Sequence, residues 1–323
     1  MRAPQICSFF LITAAMVGCG SGGEGDDDGG DGDGGTNVDA PIPADYTRLI
    51  GREWTAPPGG GGPGDIYRCA RITVANDTYI TNIMSQAPQG SHHAVLSIAD
   101  SRVAGPDGSY DCSVSTLGRV MLYASGVGTS PLDFPTGVGI KVAAGTQLHL
   151  NLHLFNASDS TITGDSAILV KQQATQPPIL AEMVFAGGFG FQIPATTPPP
   201  GYSFSSGCNA NRDFTLFAVW PHQHKLGTHH KFEIIRGGGT PTVLHDAAFS
   251  FTEQKYYLQT PEFQVLNGDQ IRVTCTWINT TGVQQGFGDS SDQEMCFSGM
   301  YRYPATQNGA NLFQCTDTGG LGF

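Results

Sequence analysis

The stretch Leu148-His149-Leu150-Asn151-Leu152-His153-Leu154 alternates apolar and polar side chains without a break. Successive side chains of a β-strand point to opposite faces, so this pattern predicts a strand with leucines on one face and His149, Asn151 and His153 on the other. The two histidines would lie about 13 Å apart along the strand, which is too far for both to bind one ion. The stretch therefore predicts a strand that carries a ligand, and it does not say which histidine is the ligand.

Similar short runs, rich in β-branched and aromatic residues, recur along the chain between clusters of Gly, Pro, Asn and Asp, and no long run has a helical apolar period. The runs are 79–84, 94–98, 120–123, 147–155, 214–220, 230–235, 264–265 and 270–277. This pattern predicts an all-β fold. We expect two tandem antiparallel β-sandwich domains, jelly-roll-like, with disulfides inside each domain.

The domain plan follows from the composition. The polar, proline-rich segment 172–178 (QQATQPP) cuts the chain into similar halves, which predicts one domain over 46–174 and a second over 175–323. Residues 19–45 are largely Gly and Asp, and such a segment buries too little apolar surface to fold, so it predicts a disordered tether.

The N-terminus reads as an export signal. Arg2 precedes an apolar stretch, 6–17, which is too short to span a bilayer. Met16-Val17-Gly18-Cys19 resembles a bacterial lipobox, which predicts a lipoprotein signal peptide over 1–18 and a lipid on Cys19. No Asp follows Cys19, so the resemblance favours the outer membrane of a bacterial cell envelope, with the lipid as the only membrane contact.

Charge and cysteine content narrow the function. The net charge is −12, but six of the acidic residues lie in one short run, 24–33, and no Lys/Arg cluster suggests a nucleic-acid partner. Six cysteines remain once Cys7 and Cys19 of the export signal are set aside, an even number that predicts disulfides in an exported chain. None of them forms a CxxC pair, which disfavours a zinc site.

Histidines carry the strongest functional signal. His222 and His224 follow a strand-like run, and side chains two apart on a strand share a face about 6.5–7 Å apart, so the pair can chelate one ion; one buried and one surface histidine is the alternative. On a regular strand His92 and His93 would point apart. They can share an ion only at an irregular strand start, which Gly90 and Ser91 permit, or by using different ring nitrogens.

The other histidines carry weaker signals. We read His229-His230 as the surface start of a return strand and His245 as a structural or solvated loop residue. Met295 lies in a polar loop just before Cys296, where a methionine is not obvious core. Its thioether is a soft ligand that favours Cu(I).

Four motifs in this order resemble the copper type II ascorbate-dependent monooxygenases, the group of peptidylglycine α-hydroxylating monooxygenase and dopamine β-monooxygenase. The resemblance spans about residues 65–320, and its motifs are His92-His93, Leu152-His153, His222-Gln223-His224 with Leu226-Gly227, and Asp292-Gln293-Glu294-Met295-Cys296.

The resemblance implies two copper ions. His92, His93 and His153 would hold an electron-transfer copper, and His149 would not be a ligand. His222, His224 and Met295 would hold an oxygen-binding, catalytic copper. It also implies the disulfides Cys69–Cys112, Cys208–Cys315 and Cys275–Cys296. The implied activity is that of an oxidoreductase: dioxygen hydroxylates an sp³ C–H bond, and ascorbate or another one-electron donor supplies the electrons.

Three departures from the family bear on the substrate. Trp220 stands where the peptide-amidating enzyme has an Arg that holds a substrate carboxylate, and Phe297 and Gly299 replace its nearby Asn and Tyr. The sequence therefore disfavours peptide amidation and favours a small apolar or aromatic substrate. The alternative function is a non-catalytic copper-binding surface lipoprotein. A carbohydrate-binding adhesin would explain the fold and anchor but not the ordered His/Met set.

Overall fold

Strands from the first half of the chain form two antiparallel sheets that face each other. The computed structural model describes residues 41–59, 65–113, 115–118, 120–126, 128–156, 158–251, 253–288, 290–306 and 315–316. The first strands are β1 (Thr47–Ala56), β2 (Asp65–Thr73), β3 (Thr78–Gln86), β4 (Ser91–Ile98), β5 (Gly108–Asp111), β6 (Val120–Ser125), β7 (Leu132–Asp133), β8 (Val138–Val142), β9 (Gln147–Phe155) and β10 (Ile162–Gln173).

One of these sheets has the order β1-β10-β3-β8, with β7 also paired to β3, and the other has the order β5-β2-β9-β4-β6. The leucines of β9 enter the core between them, as its alternation predicts. The next strand, β11 (Ile179–Leu180), adds to β8 in parallel, so sheet hydrogen bonding extends past the predicted boundary at 174/175. That boundary stays a prediction. The described residues all belong to one compact unit, Thr36–Phe323.

The second half builds its own pair of sheets. Its strands are β12 (Glu182–Gly188), β13 (Gln192–Ile193), β14 (Tyr202–Asn209), β15 (Phe214–His222), β16 (Gly227–Ile235), β17 (Thr242–Ala248), β18 (Tyr257–Val265), β19 (Gln270–Trp277), β20 (Gln285–Gly286), β21 (Cys296–Tyr303) and β22 (Cys315–Thr316). They form the sheets β18-β15-β21-β12-β22 and β14-β19-β16-β17, with a small β13-β20 ribbon.

The sheet containing β12, β15 and β21 is buried on both faces. Side chains of β21 alternate between the two cores: Phe297 and Tyr301 belong to the core shared with the first half, while Met300 belongs to the core of the second half. Sheets covered on both faces read as nearly continuous apolar runs, as β12 and β15 do. This central sheet brings the end of β15 against the sheet that contains β4 and β9.

No helix is present in the described residues, and the all-β sandwich prediction is confirmed. Within the same residues, the search for an apolar helix of membrane-spanning length finds none. Three disulfides join Cys69 to Cys112, Cys208 to Cys315 and Cys275 to Cys296, which are the pairs that the family resemblance implies. The signal peptide, Cys19 and the tether up to residue 40 lie outside the described residues.

Candidate metal centre

The first histidine set forms where β4 begins irregularly. Gly90 has a φ of +93°, a left-handed conformation that glycine adopts without steric cost, and the register of β4 against β9 shifts between Ser91 and His93. The shift brings two adjacent rings to one side, so that the ring centroids of His92 and His93 lie 4.2 Å apart. His153 lies directly opposite His93 in the β4–β9 register.

The ring nitrogens of this set converge on one point. His153 Nδ1 lies 3.3 Å from His92 Nδ1 and 3.4 Å from His93 Nδ1, and the ligand atoms of all three residues lie within 4.8 Å of one another. Imidazole nitrogens bound at about 2.0 Å around a trigonal ion would lie about 3.5 Å apart. The three residues therefore fit a transition-metal ion, with every histidine using the same nitrogen.

The surroundings keep His93 uncharged and hold the imidazoles of the first set in place. Burial, and then the neighbouring histidines, hold the pKa of His93 well below its usual value, so its ring is neutral at pH 7. Tyr67 stacks on His153 with ring centroids 4.7 Å apart and planes 8° from parallel, and Phe251 packs at 4.6 Å from His92. These rings restrict the orientation of the imidazoles and cover part of their surface.

The second set lies at the end of β15. His222 is the last residue of the strand and His224 lies two residues beyond it, with ring centroids 5.3 Å apart and planes at 84°. His224 Nδ1–H donates to the carbonyl oxygen of Gln293 at 3.0 Å, and His222 Nδ1–H donates to Gln254 Oε1 at 2.8 Å. Both bonds leave Nε2 with a free lone pair, the usual outer-shell arrangement of a ligating histidine.

Burial also keeps the second pair neutral. It lowers the pKa of His222 to about 4, against a smaller opposing effect of the Gln254 hydrogen bond, and it lowers the pKa of His224 to about 3 with the help of His222. Neutral imidazoles are the form that binds a metal ion.

Glu294 fixes the segment that carries His224 and Met295. Its Oε2 accepts hydrogen bonds from the backbone N–H of His224 at 2.9 Å and from Trp277 Nε1–H at 2.8 Å, while Oε1 accepts from the backbone N–H of Leu226 at 2.7 Å. Met295, the next residue, is half-buried and lines the same cavity as His222 and His224. The structure therefore places a soft thioether at the same cavity as two imidazoles.

The two histidine sets adjoin each other. The ring centroids of His93 and His222 lie 6.3 Å apart, and the side-chain amide of Gln254 lies between them, 2.8 Å from each ring. Spacing along the chain gave no indication of this proximity, because His93 and Gln254 are 161 residues apart. Gln254 and Phe251 come from the segment between β17 and β18, which carries no sequence motif.

A cavity of about 360 Å³ opens beside both sets and is lined by His93, His153, His222 and His224. One wall of the cavity is aromatic and starts next to a candidate ligand, because Trp220 stacks on His222 with ring centroids 5.0 Å apart. The wall continues through Phe185, Phe189, Phe287 and Phe297, whose neighbouring ring centroids lie 4.7–6.2 Å apart. The arrangement can bind a small apolar molecule next to a metal ion.

The remaining histidines lie away from this cavity, and two expectations about them were wrong. His149 is buried and its Nε2 pairs with the Tyr110 hydroxyl at 2.7 Å, which leaves it outside the first set. His229 lies at the surface with its Nε2 3.0 Å from Asp246 Oδ1, but His230 is fully buried and donates from Nε2 to the Phe297 carbonyl oxygen. His245 lies on strand β17 rather than in a loop, packed 5.5 Å from His230.

Comparison with known proteins supports the assignment of the second half. Residues 193–319 match the family model described as copper type II ascorbate-dependent monooxygenase, C-terminal domain. This range contains His222, His224 and Met295. The match supports the copper monooxygenase family, and it does not reach the first histidine set.

Two solved structures of infectious bursal disease virus are also similar to parts of this chain. One is a mutant VP2 protein in derived T=1 particles, at 11% identity over 86% of this chain and 75% of that one, with a TM-score of 0.21. The other is the Gt strain, at 11% identity over 86% and 78%, with a TM-score of 0.20. These scores are too low to support an argument about fold or function.

Sequence patterns missed four residues that surround the histidines. Gln254 and Phe251 touch both sets, Tyr67 stacks on His153, and Glu294 holds the segment after β15. Glu294 stands inside a recognised motif, so its position was visible although its role was not. Tyr67 could have been found from the register of β2 against β9, but only after the sheet was known.

Proposed function

We propose that this protein is a copper-dependent monooxygenase that hydroxylates an sp³ C–H bond of a small apolar or aromatic molecule. Dioxygen is the oxidant and an external one-electron donor such as ascorbate is the reductant. Two electrons and two protons are consumed as one oxygen atom enters the C–H bond and the other leaves as water. The observation that carries the proposal is that two histidines of the first set, both histidines of the second set and Met295 line one largely apolar cavity.

The residues of each set would hold one copper ion: His92, His93 and His153 the first, and His222, His224 and Met295 the second. Bound copper would supply one-electron transfer and dioxygen activation. The chain supplies the rest. The Gln293 carbonyl oxygen and Gln254 Oε1 accept the Nδ1 protons of His224 and His222 and so aim the opposite nitrogens. Glu294 accepts the backbone N–H groups of His224 and Leu226 and so holds the segment that follows β15.

The substrate class follows from the aromatic wall. Trp220 lies opposite Gly299, and His222 opposite Phe297, in the register of β15 against β21, so the departures from the peptide-amidating enzyme meet at one place. A Cβ at position 299 would come within 2.5 Å of Met183 Cε, so the wall is closed there. A planar apolar molecule can stack against these rings, and the guanidinium of Arg102, which also lines the cavity, is already paired with Asp100.

We also propose that the protein is exported and anchored to the bacterial envelope, on its outer membrane, through a lipid on Cys19. Three disulfides support export, because such bonds persist in oxidising compartments.

Oxygen uptake by the copper-loaded full chain with ascorbate, over a panel of aromatic amines and alcohols, tests the proposed activity. We expect substrate-dependent uptake that yields a hydroxylated product carrying oxygen from dioxygen, and its loss in the His224→Ala variant. Copper that binds without any uptake across the panel would instead favour a non-catalytic copper-binding lipoprotein.

A further inference from the structure

Gln254 joins the two candidate metal sites with a single amide. The side chain is buried, with 1% of its surface exposed. Its Oε1 lies 2.8 Å from His222 Nδ1, and its Nε2 lies 2.8 Å from His93 Nε2 and 3.2 Å from the carbonyl oxygen of Phe251. Its backbone is also tied down, because the Thr129 hydroxyl donates to the Gln254 carbonyl oxygen.

The contact with Phe251 decides which way the amide points. Oxygen and nitrogen of a glutamine side chain are told apart by their hydrogen-bond partners. A backbone carbonyl oxygen can only accept, so the group facing Phe251 must be the NH₂. The other hydrogen of that NH₂ then faces His93 Nε2, and the amide oxygen faces His222 Nδ1.

This orientation has opposite consequences for the two rings. A neutral imidazole carries one proton, so a ring nitrogen that accepts a hydrogen bond leaves the proton on the other nitrogen. His222 donates from Nδ1 to Gln254 and keeps a free lone pair on Nε2. His93 accepts at Nε2 and must carry its proton on Nδ1, the nitrogen that faces His153 Nδ1 at 3.4 Å.

We propose that Gln254 couples the two sites, holding His222 ready to bind a metal ion and His93 in the tautomer that cannot. An ion at His92, His93 and His153 needs a lone pair on His93 Nδ1, which moves the proton to Nε2. That proton would point at the NH₂ of Gln254. Two hydrogen-bond donors facing each other repel, so the Gln254 amide and the His93 ring would move apart. Binding of a metal ion at the first site therefore breaks the hydrogen bond between Gln254 and His93, and this hydrogen bond opposes binding of the ion. The metal-binding part of this inference rests on the proposed function.

The tautomers can be observed without any metal. In long-range ¹H–¹⁵N imidazole spectra of the metal-free full chain, we expect the protons of His93 and His222 on Nδ1. In Gln254→Glu, at a pH where the introduced carboxyl group is ionised, that group can only accept, so the His93 proton should move to Nε2 while His222 stays unchanged. A His93 proton on Nε2 in the unsubstituted protein, or no change in Gln254→Glu, would overturn the proposal. This result does not depend on turnover.

Copper affinity separates coupling from a purely structural role. With Cu(I) in competition with a chromophoric chelator, Gln254→Met should tighten binding at the first site about fivefold in a His224→Ala background, since one opposing hydrogen bond is removed. It should weaken binding at the second site by a similar factor in a His153→Ala background, because His222 loses its acceptor. Gln264→Met, an exposed change on β18, is the matched control.

The signs of the two changes decide the outcome. Loosened structure would weaken both sites, and an inert Gln254 would change neither, so either result contradicts the coupling. Failure of the first site to bind copper in every variant overturns the coupling together with the proposed two-copper function. Coupling with no oxygen uptake leaves the inference standing and removes the proposed enzyme activity.

Discussion

The disulfide between Cys275 and Cys296 should support both the fold and the second metal site. It links β19 to the first residue of β21, so it ties the two sheets of the second half together within their shared core. Its sequence separation is 21, and the chain-entropy relation gives a stabilisation of about 3.3 kcal/mol for such a loop. Replacing both cysteines by Ala should lower the melting temperature by about 7–13 °C.

The first-half disulfide provides a matched comparison. Cys69 and Cys112 are separated by 43 residues, for which the same relation gives about 4.0 kcal/mol. The two double-alanine variants should therefore lose similar stability. Only the Cys275/Cys296 variant releases residue 296, which directly follows Met295. It alone should therefore weaken copper binding at the second site, by about tenfold, which is the usual effect of losing a group that holds a metal ligand in place.

Thermal melting and Cu(I) competition on the two variants, with each verified as folded before measurement, check both parts. A stability loss below about 1 kcal/mol in the Cys275/Cys296 variant would refute the loop argument. If both variants lose the same amount of copper affinity at the second site, the Cys275–Cys296 disulfide does not specifically hold Met295 in place.

Three further results are expected. Met295→Ile should change the free energy of unfolding by under about 1.5 kcal/mol and should abolish oxygen uptake while the first-site copper stays bound. Met295→His should still bind copper. Turnover retained in Met295→Ile, with native copper content, would show that Met295 is not a ligand. The metal-free protein should lose stability as pH falls from about 6.5 toward 4. Burial lowers the pKa of His149 and His245 to about 4 and that of His230 to about 3, so these histidines bind protons in the unfolded chain before they do in the folded one. A urea unfolding midpoint that does not fall over this pH range would contradict the prediction. Mass spectrometry of the mature N-terminus should find a lipid on Cys19, and a free thiol there or cleavage elsewhere would exclude it.

Local patterns predicted the strands well because alternation reports which face is buried. The run from 147 to 155 is strand β9 and the run from 270 to 277 is β19, with the expected bounds. For the edge strand β18, the sequence predicts only the last two residues, 264–265. Tyr257 and Leu258 are exposed and the segment contains Pro261, so the rest of the strand lacks a strand-like pattern. The sequence predicts a surface position for His230, because an HH pair after a turn looks polar. The sheet that contains β21 covers that side of the strand instead.

The candidate site was predictable only in part. The sequence contains the ligand types and their order, and the irregular start of β4 was anticipated from Gly90 and Ser91. The meeting of His93 with His222 was not predictable, because it depends on the central sheet packing against the first half. Gln254 lies in a segment whose local pattern has no special feature, and only the folded chain shows that its amide faces both rings.

The copper content of the full chain and of three histidine variants tests the central claim most directly. Each protein would be loaded with copper, freed of unbound metal and analysed for copper per chain. We predict two ions in the unsubstituted protein and in His149→Ala, and one ion in His153→Ala and in His224→Ala, with the surviving ion at the unaltered set. A single ion in the unsubstituted protein, lost with either His153→Ala or His224→Ala, would mean one shared site and would contradict the two-copper monooxygenase.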